Sequence, residues 1–340
     1  MKKIKLALLG LGRIGKIHFS NIGHHFPQAE LLAVADPKYD QQTFSRDFGE
    51  KLFFSPDPAA ALAFKGVEAV LICTPTSTHA SLIELAISMG KHIFCEKPMD
   101  LSLERTASLA TAVRQAGVKL MLGFNRRFDP DFMLARKSVA EGKIGDIQIV
   151  KITSRDPGLP PIDYLRHSGG LFMDMAIHDF DMARYIMGKE VVEVYAKGLV
   201  LVDPAVGGAG DIDTALTTLV FSDGSYAVID NSRKAIYGYD QRLEIFGNGG
   251  MIQVDNKLHH NNVLFTAAGI QHSLPLDFFM DRYARSYLNE IDLFIDALLS
   301  GKDMPVGAAD GLQATRIAFA AKLSLQEGRP VSLKEIPDFS

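Results

Sequence analysis

The amino-acid sequence predicts an α/β protein of two domains: a parallel sheet with crossover helices, then an α+β domain built on a large, mostly antiparallel, open sheet. Three observations predict it. Strand-like runs alternate with helical patterns over the first third, a glycine motif follows the first run, and from about Asp146 strand-like runs succeed one another with few helices between them. A chain of 340 residues has room for about two domains of ordinary size.

The first-domain strand candidates are Ile4–Leu9, Leu31–Ala35, Ala69–Cys73, His92–Cys95 and Lys119–Gly123, and Ser81–Met89 and Leu103–Ala116 between them carry helical apolar spacing. Strand, helix, strand in succession requires crossovers and hence parallel pairing. The second-domain candidates are Ile147–Thr153, Val191–Val202, Ala215–Phe221, Ser225–Asp230, Arg242–Phe246 and Met251–Val254. Ser222-Asp223-Gly224 and Gly247-Asn248-Gly249-Gly250 have the glycines that tight hairpins need. One helical stretch, Gly170–Met187, interrupts before most of these strands, and Met280–Leu299 and Asp310–Glu327 close the chain. The expected domains are 1–124 and 125–340, the C-terminal helices being free to pack back on the first. The loops Arg155–Asp163 and Val206–Gly210 read as lids or surface excursions.

Charge and composition narrow the function. The 36 basic and 40 acidic side chains leave a net charge of −4, which does not suit nucleic acid. Lys2, Lys3 and Lys5 precede an apolar stretch, but Arg13 interrupts it, no cleavage site follows, and no apolar run approaches the ~20 residues of a membrane span. Cys73 and Cys95 sit in apolar runs, as buried reduced thiols do, and a cytoplasmic setting follows.

Gly10-Leu11-Gly12-Arg13-Ile14-Gly15 is a G-x-G-x-x-G motif between a strand and a helical pattern, the context of a dinucleotide-binding Rossmann turn. Gly10 permits the turn, Gly12 lets backbone approach a pyrophosphate, and Gly15 lets helix and strand pack closely; Arg13 and Ile14 fall at the helix N-terminus, whose free N–H groups face the phosphates. Asp36 ends the second strand, where a carboxylate accepts hydrogen bonds from both ribose hydroxyls and repels a 2′-phosphate. NAD is therefore expected over NADP, with Lys38 leaving dual use open. Thr74, Pro75 and His79 follow the Ala69–Cys73 strand at the edge where open α/β sheets bind ligands, and either line the nicotinamide ribose or cap the next helix. Glu96-Lys97-Pro98 ends the next strand at the same edge.

Within the stretch from Gly169 to Asp181, Asp174, His178 and Asp181 are spaced i, i+4 and i+7, one face of a helix whose neighbours are apolar. A His–Asp pair sets an imidazole's tautomer and basicity for general-base work. A structural hydrogen-bond network is the competing reading. A metal centre lacks a recognisable ligand set.

Together these motifs resemble the Gfo/Idh/MocA oxidoreductase family, in which a Rossmann domain carries G-x-G-x-x-G and E-K-P and the following domain carries G-G-x-x-x-D-x-x-x-H. The likeness spans nearly the whole chain and extends to GFNRRFDP, SRDPGLPP, MAIHDFDMARYIMG and IDNSRKAIYGYDQRLEIFG. It implies NAD as cofactor, Lys97, Asp174 and His178 as catalytic residues, and a homotetramer formed through the open sheet. It further implies hydride transfer from a cyclitol, first myo-inositol oxidised to its 2-keto form, with another inositol isomer or an aldose such as glucose as alternatives. A non-catalytic NAD-binding regulator is the reading from another class. A neutral, hydroxyl-covered substrate needs many polar contacts, and beside Lys97, Asp174 and His178 the candidates are Arg127, Arg155, Asp156, Asp181, Tyr237 and Tyr239, the two tyrosines being expected on one face of a strand-like segment.

Overall fold

The structure is a computed structural model and describes residues 2–49 and 51–339. Two compact units divide it: one comprises the residues up to Phe128 with 285–313 and 338–339, the other 129–284 with 314–337.

The first unit opens with β1 (Ile4–Leu9), α1 (Arg13–His25), β2 (Ala29–Ala35), α2 (Gln41–Phe48), β3 (Phe53–Ser55), α3 (Pro58–Ala63), β4 (Ala69–Ile72), α4 (His79–Ser88), β5 (His92–Glu96), α5 (Leu103–Ala116) and β6 (Leu120–Gly123). The strands form a six-stranded parallel sheet in the order β3-β2-β1-β4-β5-β6, which places the reversal of strand order between β1 and β4. Every residue of β4 is buried, as a strand covered on both faces by crossover helices must be. The sequence expectation lacked α2, β3 and α3. They are short, and their signals are caps rather than periodicity: Asp40 accepts from the Thr43 amide and Asp57 from the Ala59 amide, with Pro58 opening the helix.

The second unit contains α6 (Pro130–Ala140), β7 (Ile147–Arg155), α7 (Ile162–Leu165), a π turn (Phe172–Ala176) running into α8 (Ile177–Met187), β8 (Val191–Leu199), α9 (Pro204–Gly208), β9 (Thr214–Phe221), β10 (Tyr226–Ser232), β11 (Asp240–Gly247) and β12 (Gly250–Val254). A small exposed hairpin, β13 (Val263–Thr266) and β14 (Gly269–His272), precedes α10 (Phe279–Arg282). The chain then enters α11 (Ala284–Ser300), which belongs to the first unit from Arg285 on, and α12 (Ala308–Glu327), before β15 (Val331–Ser332). The large sheet runs β12-β11-β7-β10-β9-β8-β15, antiparallel except for the β7–β10 pair.

Both predicted glycine turns close hairpins, β9–β10 with Gly224 at φ 85° and β11–β12 through the Gly247–Gly250 segment. One face of the sheet is buried through Ala215, Leu219, Ala227 and Ile229. The other exposes Phe246, Ile149 and Tyr226, which are paired in register across three adjacent strands, together with Leu216 and Met251. Cys73 and Cys95 are free thiols, both buried.

Candidate active site

In the first unit the three motif glycines do different work. Gly10 lies at φ 91°, and a Cβ there would stand 2.7 Å from the Cys73 carbonyl oxygen. A Cβ on Gly15 would overlap the carbonyl of Gly10, whereas one on Gly12 would meet nothing within 4 Å. The turn is thus closed against protein at its two ends and open in the middle, at the helix start where α1 has no side-chain cap. Asp36, 7% exposed, accepts from the Leu11 amide at 2.6 Å and the Lys38 amide at 2.8 Å, so its carboxylate is fixed beside the turn. Arg13 is exposed and Ile14 half-buried at the first turn of α1. This cradle fits a dinucleotide: backbone amides at the open glycine, and a rigid acidic acceptor next to them.

Thr74 is half-buried and Pro75 exposed at the end of β4, while His79 is 1% exposed. The His79 ring nitrogens lie 2.8 Å from the Thr74 carbonyl and 2.7 Å from that of Pro98, so His79 ties the loop after β4 to the loop after β5. Glu96 and Lys97 at the end of β5 are half-buried. Arg127, 7% exposed, pairs with Asp310 at 2.9 Å in the same unit.

In the second unit, every residue from Leu171 to Ala183 is buried except Asp174 and His178. An otherwise buried stretch therefore offers solvent these two polar side chains, the expected pair. The expected single face does not extend to Asp181, which is 1% exposed. A π turn advances each residue by less than an α turn, so the Phe172–Ala176 segment rotates later residues off the line drawn from Asp174.

Sequence reasoning missed what holds Asp174. Its Oδ1 accepts from the Tyr164 hydroxyl at 2.8 Å and its Oδ2 from Arg233 Nη1 at 3.1 Å. Arg233, 1% exposed, also reaches Asp211 at 3.3 Å, and Asp211 accepts from the Leu171 amide at 2.9 Å. The proline-bearing loop thus delivers Tyr164, and the segment after the glycine loop delivers Asp211. An arginine at the end of β10 reads as surface charge until the sheet is seen to bury it.

Arg155 is hydrogen-bonded to Asp230 and, at 3.1 Å, to the Tyr237 hydroxyl, contacts that raise its pKa further above the ordinary arginine value. Burial would push Asp240 up, but hydrogen bonds from Arg242, Tyr237 and Asn256 outweigh it and hold the carboxyl below its usual range. Asp156 is half-buried, its backbone bound to Ser232 and Ala235. Tyr237 and Tyr239 do not share a strand face. Gly238, at φ 126°, breaks the extended backbone between them, leaving Tyr237 36% exposed and Tyr239 buried edge-on to Tyr283.

Comparison with known proteins adds two matches to family models: "Oxidoreductase family, NAD-binding Rossmann fold" over residues 4–124 and "GFO/IDH/MocA C-terminal domain" over residues 132–253. An uncharacterized oxidoreductase, YrbE, of Bacillus subtilis is 48% identical over 98% of this chain and 97% of its own. The myo-inositol 2-dehydrogenase of Thermotoga maritima is 46% identical over 98% of this chain and 99% of its own. The crystal structure of scyllo-inositol dehydrogenase from Lactobacillus casei, with bound NAD(H) and scyllo-inositol, superposes with a TM-score of 0.89 at 32% identity, covering 98% of this chain and all of that one.

Proposed function

The chain belongs to the GFO/IDH/MocA oxidoreductase family, and from that membership we propose that it oxidises myo-inositol at C2 to the 2-keto compound as an NAD-dependent dehydrogenase. The observation that carries the chemistry is the pair Asp174 and His178, part-exposed in the otherwise buried stretch 171–183. NAD, when bound, supplies the hydride acceptor. The first unit is its holder: the Gly10–Gly15 turn and Arg13 and Ile14 take the phosphates, Asp36 takes the adenosine ribose, and Thr74, Pro75, His79, Glu96 and Lys97 form the loops facing the nicotinamide end.

His178 accepts the proton of the reacting hydroxyl. Lys97 holds the same oxygen and stabilises the negative charge that develops on it. Asp174, fixed by Tyr164 and Arg233, orients the histidine or the lysine. Arg127, Arg155, Asp156, Asp181, Tyr237 and Tyr239 stay as substrate-side candidates; among them Arg155 and Tyr237 form a part-exposed polar cluster suited to ring hydroxyls.

Scyllo-inositol is the second substrate reading, favoured by the bound ligand of the Lactobacillus casei enzyme. The exposed Phe246–Ile149–Tyr226 row supports a homotetramer joined through the open sheet, since an apolar face of that kind needs cover. The two unpaired buried thiols support a cytoplasmic setting. The test is NADH absorbance with NAD and a panel of inositol isomers and aldoses. The expected result is highest kcat/KM with myo-inositol; preference for scyllo-inositol selects the second reading, and no NADH from any cyclitol refutes both.

A further inference from the structure

Directly before Lys97, the Glu96 side chain turns into a buried polar cluster of the first unit. Glu96 Oε1 lies 3.3 Å from His18 Nε2, and the same nitrogen lies 3.7 Å from Glu290 Oε1 on α11. The side chains of His18 and Glu290 are completely buried, and both Glu290 oxygens lack a hydrogen-bond partner, as do His18 Nδ1, Asn21 Nδ2 one turn along α1, and Ser286 Oγ one turn back on α11. The His18 ring is wedged edge-on to Phe94 and Tyr287, with centroids at 5.3 and 5.9 Å. On its far side Glu96 rests against β6, where a Cβ on Gly123 would come within 2.8 Å of Glu96 Oε2.

One imidazole N–H cannot serve two carboxylates. Burial, and then the neighbouring Glu96 charge, push the Glu290 carboxyl well above its usual range, so Glu290 holds a proton while Glu96 takes the N–H of His18. Cys73, at the end of β4, also faces Glu290 and Glu96, Cys95 on β5 faces Glu96, and Tyr287 lies on the same helix as Glu290; burial pushes both thiols up, so neither adds charge near neutral pH.

We propose that His18 and Glu290 are positioning residues of the reaction: His18 holds Glu96, neutral Glu290 leaves that contact uncontested, and the anchored Glu96 sets the placement of the adjoining Lys97. The proposal rests on the reading of Lys97 as catalytic. Ionised Glu290 would compete for His18 and repel Glu96, releasing the end of β5.

The experiment uses the full-length, NAD-bound protein and the variants H18A, E290A and E290Q. H18A and E290A are expected to lower kcat at least about tenfold while changing NADH affinity little. E290Q, which mimics the neutral acid, is expected to keep kcat near neutral pH and to shift the alkaline fall in kcat to higher pH. Competitive acetylation of Lys97, followed by peptide mass spectrometry across pH, is expected to change in H18A and E290A but not in E290Q.

Unchanged turnover in E290A, an E290Q as impaired as E290A, or kcat losses that only track the folded fraction while Lys97 labelling stays constant would each overturn it. So would stoichiometric zinc lost in H18A, because the side chains of His18, Cys73 and Glu96 approach within 4.8 Å. Should E290A not fold, the E290Q pH profile decides. A wild-type protein inactive on every cyclitol sinks the proposed function instead, and the labelling alone then decides the positioning role.

Discussion

Arg233 binds Asp174 at 3.1 Å and Asp211 at 3.3 Å from a side chain only 1% exposed, so one buried guanidinium joins the carboxylate beside His178 to the loop after α9. Lysine can keep the charge but not the planar two-armed geometry. Arg233→Lys is therefore expected to lower kcat about tenfold with a smaller effect on KM, while Arg233→Met, which removes the one cation both acids share, costs about 3–5 kcal/mol of stability. Kinetics and denaturant unfolding on the same preparations check this; a fully active, stable Arg233→Met protein contradicts it.

His178 must be neutral to accept a proton. For alcohol oxidation, kcat/KM should rise with pH as the imidazole deprotonates, ahead of the alkaline fall proposed for ionisation of Glu290. His178→Asn should abolish turnover, by about a hundredfold or more, with the melting temperature nearly unchanged. An active but destabilised variant would make His178 structural.

Asp36 already holds the Leu11 and Lys38 amides, so its carboxylate cannot swing away from the ribose position. Asp36→Ala should weaken NAD by about ten- to a hundredfold, the loss of two hydrogen bonds to a charged group. NADP should lose less, because repulsion of its 2′-phosphate is removed as well. Titration of NADH and NADPH fluorescence measures both, and equal losses count against the assignment.

Asp213 accepts from the amides of Leu201, Val202 and Asp203 and the hydroxyl of Thr214; burial opposes its charge, but these bonds win and hold its carboxyl below the ordinary 3.8. The unfolded state binds the proton more readily, so this contribution is complete above 3.8 and disappears as pH falls through the lower folded value. Asp213→Asn should lose about 1–3 kcal/mol at neutral pH, with the deficit shrinking in acid. Chemical denaturation at several pH values tests the slope, and a deficit independent of pH would refute it.

What the sequence made legible follows physical period. Buried β4 and the turn at Gly10, Gly12 and Gly15 rest on local sterics, so composition and spacing expose them. The Asp174–His178 pair was legible for the same reason, since four residues bring both to one side of a helix. Asp181 was misplaced because a π turn leaves no compositional mark. Arg233 and Glu290 were invisible because their roles come from chain segments distant in sequence: nothing about a glutamate on an amphipathic helix tells that it ends beside His18.

That last contact reaches from α1 to α11 and gives the first unit a history. A chain lengthening from its N-terminus has β1 to β6 in hand long before Glu290 exists, yet His18 and the end of β5 wait for α11 to cover them. The cofactor-holding unit is then completed late in synthesis, after β7 to β12 of the larger sheet, although its own six strands are encoded first. Chains arrested on the ribosome at Phe128 should be cut readily by protease in this region and bind NAD poorly, whereas chains arrested beyond residue 313, with enough linker to clear the exit tunnel, should resist; protection already present at the shorter length would show that the sheet matures without its last helix.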